Sequence, residues 1–77
     1  MAAPRTTLYD AAVSLGISMR RTRALVVAAG ITGATEDSVP VVWYDAAEVE
    51  ALRTAIQARG NLPGSDANAW AAHVLAR

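Results

Sequence analysis

The chain has 77 residues, seven basic residues that are all arginine, seven acidic residues, and no cysteine. That length admits one small domain, and the missing cysteine excludes both a disulfide staple and a thiolate metal site. A single histidine, His73, leaves no metal cluster, so no cofactor is expected and the core must come from apolar packing, alone or extended by self-association.

The hydrophobic fraction is 53%, but much of it is alanine and there is no phenylalanine, which points to a mainly helical core. No apolar run approaches the roughly 18 residues that span a bilayer, and the first residues lack a charged-then-apolar signal layout. A cytoplasmic protein with no membrane contact is the expectation. Zero net charge weighs against nucleic-acid binding, but the charges are unevenly placed. Residues 1–31 hold Arg5, Arg20, Arg21 and Arg23 against Asp10, a net of +3. Residues 32–60 hold Arg53 and Arg59 against Glu36, Asp37, Asp45, Glu48 and Glu50, a net of −3.

Residues 1–6 contain Pro4 and no apolar period, and read as a flexible arm from which Arg5 could reach a phosphate. Thr7 and Asp10 form a capping-box-like pair opening a helix over residues 8–15. Leu8, Ala12 and Leu15 make its buried stripe, bordered by Ala11. Gly16 suits the reversal after that helix, Ile17 plugs the corner, and Ser18 caps a second helix over residues 19–29 that ends at Gly30. Its inward face is Thr22, Leu25, Val26 and Ala29. Arg20, Arg21 and Arg23 are left outward in its first turn and a half. Arginines there can meet guanine edges or phosphates in a major groove; the plainer reading is a solvated face.

The β-branched and aromatic run at residues 39–44 reads as a strand. With residues 32–38 it predicts a hairpin whose Pro40 confines it to an edge or to the strand's start. Asp45 and Glu48 open a helix over residues 46–59, with Val49, Leu52 and Ile56 as its stripe. Residues 61–64 are a breaker cluster. Ser65 or Asp66 then caps a last helix to residue 76 carrying Trp70, Ala71, Val74 and Leu75. That helix either folds over the core or packs on a neighbouring molecule. His73 reads as an exposed helix residue.

Two segments together resemble a known family. GISMRRTRALVVAAGI, residues 16–31, resembles the turn and recognition helix of MerR-like and phage excisionase-like winged helix-turn-helix domains. VVWYDAAEVEALRTAI, residues 41–56, is similar to the stretch after the wing in that group. The resemblance implies a mainly α fold with a small β-hairpin and three to four short helices. Residues 7–60 would form the winged helix-turn-helix, and residues 61–77 a loop and carboxy-terminal helix. It implies double-stranded DNA as partner, groove contacts from Ser18, Arg20, Arg21 and Arg23, and Thr7 at a phosphate. A dimer or a second protein would add affinity. At the wing the sequence departs from the family: Glu36 and Asp37 stand where basic residues are common, so wing contact with DNA is not expected.

The pattern also leaves Tyr9, Val13 and Val27 towards solvent. A second reading follows from a different class: a structural or adaptor protein of phage type, in the virion, using the same fold for protein contact, with Trp70, Val74 and Val27 meeting a partner or a second copy. No nucleophile and base pair, metal set or phosphate loop is present in the sequence, which makes an enzyme the least favoured class.

Overall fold

The first strand ends where the first helix is capped, so the two elements share Thr7. In the computed structural model, which describes residues 4–36, 39–59, 64 and 66–76, β1 (Arg5–Thr7) leads directly into α1 (Leu8–Leu15). The Thr7 Oγ1 accepts a hydrogen bond from the Asp10 amide at 3.1 Å, satisfying one of the free N–H groups of the first turn. Gly16 stops α1 with φ 71°, a left-handed conformation that costs glycine nothing. Its amide turns back to the Ala12 and Val13 carbonyls.

The second helix, α2 (Met19–Ala28), follows after three residues, Gly16, Ile17 and Ser18. Ser18 caps it, its Oγ accepting from the Arg21 amide at 3.1 Å. Thr22 is fully buried yet satisfied, because its Oγ1 donates to the Ser18 carbonyl at 2.8 Å. Leu25 and Val26 are buried as the spacing predicts, whereas Ala29 lies past the helix end and is exposed. The expected inward face is one residue shorter than the period suggested.

A three-stranded antiparallel sheet follows from β2 (Ala34–Glu36) and β3 (Val39–Asp45), in the order β1-β3-β2. The arm expected over residues 1–6 is therefore partly wrong: Arg5 and Thr6 pair with Asp45 and Tyr44 in a strand. The Pro4 carbonyl accepts from the Ala46 amide at 3.0 Å; residues 1–3 lie outside the described residues. β3 is consequently the central strand. It tolerates Pro40 because Pro40 is its second residue, in a stretch where the register against β2 is irregular. Of the expected wing tip at Glu36 and Asp37, Glu36 is the last residue of β2 and Asp37 lies outside the described residues.

Asp45 ends β3 and caps α3 (Ala46–Arg59), its Oδ1 accepting from the Ala47 amide at 2.8 Å. Val49 and Leu52 are buried and Ile56 is half-buried. Residues 61–63 of the expected breaker lie outside the described residues, as do Gly60 and Ser65. Asp66 caps α4 (Ala67–Leu75), accepting from the Ala69 amide at 2.7 Å.

The core is set by where α4 lands. It packs along α2, more extensively than any other pair of elements meets, and also against α3. Trp70, Ala71 and Val74 join Leu25, Val26 and Leu52 in one buried cluster, with Ile17, Ile31, Tyr44 and Ile56 around it. The interpretation of Trp70 and Val74 as partner-facing residues is thereby overturned: they are 0% and 2% exposed within their own chain. A buried tryptophan removes roughly 150–250 Å² from water, which at about 25 cal/mol per Å² is about 4–6 kcal/mol of transfer free energy before entropy is subtracted. In a chain this small, that seat belongs to the fold. His73, expected exposed, is half-buried with Nε2 3.3 Å from the Arg59 carbonyl.

Candidate nucleic-acid interface

The residues expected to face a groove separate into two groups. Arg20 and Arg23 are exposed on α2. With Val27 one turn further on, 72% exposed, they form a ridge along the solvent side of the helix, since positions three, four and seven apart share a face. No acidic residue of α2 interrupts it. Ser18 stands at the start of the same helix, its hydroxyl already engaged as the cap.

Arg21 does not belong to that ridge. Its guanidinium carbon lies 5.0 Å from the centre of the Trp70 ring, and the residue is half-buried. A rotation of one residue along α2 turns the side chain by about 100°, from the solvent side to the flank that α4 occupies. A guanidinium over an indole is held by the ring quadrupole, so Arg21 closes the edge of the α2–α4 contact. The sequence could not distinguish these three arginines, because the face α4 covers was unknown.

Arg5 is separated from the ridge for a similar reason. It is exposed, but its guanidinium sits 5.3 Å from the centre of the Trp43 ring. Successive side chains of a strand point to opposite faces, so Trp43 lies on the other side of β3 from Val42 and Tyr44. Those two residues border Arg23. The sheet thus stands between Arg5 and Arg23. The Trp43 indole nitrogen is buried with no hydrogen-bond partner among the described residues. Thr7, assigned to a phosphate by the resemblance, is committed to capping α1.

Two clefts flank the ridge. One lies between it and the start of α4, with Arg20, Arg23 and Val27 facing Asp66 and Asn68 across about 360 Å³. The other, about 330 Å³, lies between Tyr9 of α1, Met19 and Arg23 of α2, and Pro40, Val42 and Tyr44 of β3. Its rim is apolar and open: Tyr9 is 63%, Met19 46% and Val42 39% exposed. Arg23 is the charged residue in its wall. Sequence reasoning found Tyr9 but missed Met19 and Val42. The first falls at the helix start, and the second lies in a strand whose pairing was needed to tell its two faces apart.

Gly33 shapes this cleft from behind. A Cβ there would run into Val42 Cγ1 and the Tyr44 ring, so only glycine lets the chain leaving α2 pass close beneath β3. In the sequence, position 33 falls within the stretch 32–38 of the expected hairpin, and no local signal marks its tertiary neighbour.

Comparison of the chain with protein-family models, with curated proteins and with solved structures returns no match. The geometry of the ridge and its two clefts therefore carries the functional reading.

Proposed function

We propose that the chain is a small double-stranded-DNA-binding protein of the winged helix-turn-helix type, with an excisionase-like or MerR-like regulatory or architectural role. Its reading element is α2, entering the major groove by its amino-terminal half. The observation that carries this reading is the ridge of Arg20 and Arg23 on the exposed side of a helix that follows a tight turn. An arginine so placed can donate two hydrogen bonds to guanine O6 and N7, or clamp a phosphate. Arg21 supports the reading element through Trp70 and does not contact DNA. Arg5, on the far side of the sheet, adds to the field around the protein but not to the groove contact.

Two cations release few counterions, so affinity from one copy is low and falls with salt. The test is a fluorescence-anisotropy titration of a short labelled duplex at low salt. The proposal predicts saturable binding that Arg20→Ala and Arg23→Ala weaken and Arg21→Ala, once corrected for any loss of fold, does not. Absence of binding at low salt would refute it.

A second reading, a phage-type structural or adaptor protein that uses this face for protein contact, is favoured by one specific observation. Tyr9, Val13, Met19, Val27 and Val42 are all large, apolar and between 39% and 72% exposed. Tyr9, Met19 and Val42 line one cleft, and clustered exposed apolar side chains mark contact surfaces more often than scattered ones do.

A further inference from the structure

The face that combines α1 with the apolar cleft has both a knob and a hole. On α1, Leu8, Ala11, Ala12 and Leu15 turn inward, and the opposite side presents Tyr9, Asp10 and Val13. Tyr9 and Val13 are one turn apart and 63% and 66% exposed, so they form a continuous apolar ridge, with the Asp10 carboxylate exposed beside it. That ridge borders the cleft, with Tyr9 forming one side of its rim and Met19, Pro40 and Val42 the rest, and Arg23 in its wall. One side of the patch is therefore convex, apolar and acidic, and the other concave, apolar and basic.

A patch with both halves can meet itself. In a two-fold contact the same surface faces its copy, so each complementary pair is formed twice. We propose that a second copy of this chain covers this face, with the Tyr9–Val13 ridge of each copy in the cleft of the other and Asp10 of each opposite Arg23 of its partner. The charge pattern selects this occupant: the acid lies beside the apolar knob and the base beside the apolar hole. The chain's zero net charge sets no long-range repulsion against pairing. The patch is small, so association is weak and reversible, in the micromolar range. Arg23 serves both readings, so pairing through this face and groove contact by Arg23 are alternative states of the chain; the test of pairing contains no DNA.

Sedimentation equilibrium over a concentration series measures it directly. A monomer–dimer equilibrium is expected in the wild type. Val13→Glu places an uncompensated carboxylate on the apolar ridge and raises the dissociation constant by about a hundredfold. Because Val13 is exposed, its circular dichroism and melting curve stay those of the wild type. Asp10→Arg and Arg23→Asp each weaken pairing, on the order of fivefold, and the double variant restores it. A wild type that stays monomeric up to millimolar concentration overturns the proposal. So does a dimer that Val13→Glu leaves intact, or one that either charge reversal weakens without rescue in the double variant.

Discussion

At the scale of single residues, the separation of Arg21 from Arg20 and Arg23 decides most of what the chain can do. Three arginines within four positions look equivalent in sequence, yet the stack on Trp70 assigns one to the fold. Arg21→Ala should lower stability by about 0.5–1 kcal/mol, read as a shift of the urea midpoint, and leave intrinsic affinity for a duplex unchanged. Trp70 makes the opposite point. Its burial was the open question for the last helix, and it is 0% exposed. Trp70→Ala should cost about 3–5 kcal/mol, a large share of what a domain of this size has. Helical circular dichroism should fall sharply at room temperature. A variant that kept its dichroism and changed only its association state would instead place Trp70 in an interface.

At the scale of elements, the helices and the β2–β3 hairpin were legible and the third strand, β1, was not. Each helix start carries a local signal, and Thr7, Ser18, Asp45 and Asp66 each accept a hydrogen bond from an amide of the turn they open. Ser18→Ala should therefore cost about 1 kcal/mol, and Gly16→Ala about 1–2 kcal/mol because φ there is 71°; both are measurable by thermal melts. β1 had no such signal. Three residues, Arg5, Thr6 and Thr7, form a strand only because β3 lies alongside them, and that neighbour is nearly forty positions away in sequence. The same dependence hid the cleft. The alternation along β3 predicts two faces, but which face meets α2 follows from the pairing of all three strands. Gly33→Ala, which drives a methyl into Val42 and Tyr44, should destabilise the sheet and disturb the cleft together.

At the scale of the whole molecule, the charge separation seen in the sequence becomes a geometric one. The positive residues of the first third divide between the solvent ridge, the α4 contact and the outer face of the sheet. Of the four arginines among residues 1–31, two, Arg20 and Arg23, remain together on an exposed face. α4 leaves that ridge open while covering its flank, and no helix among the described residues is long and apolar enough to cross a membrane. The ridge could be read from helical spacing alone. Its reduction from three arginines to two could not, because that depends on where a helix from the far end of the chain packs.

In the proposed function, Arg20 and Arg23 together make the electrostatic contact with DNA. The salt dependence of duplex binding counts such contacts, because each neutralised phosphate contributes about −0.9 to the slope of log K against log salt. The wild type should give a slope of about −2, Arg20→Ala and Arg23→Ala about −1 each, and Arg21→Ala the wild-type value. A slope that Arg20→Ala and Arg23→Ala leave unchanged, or one that Arg21→Ala reduces as much as they do, would contradict it.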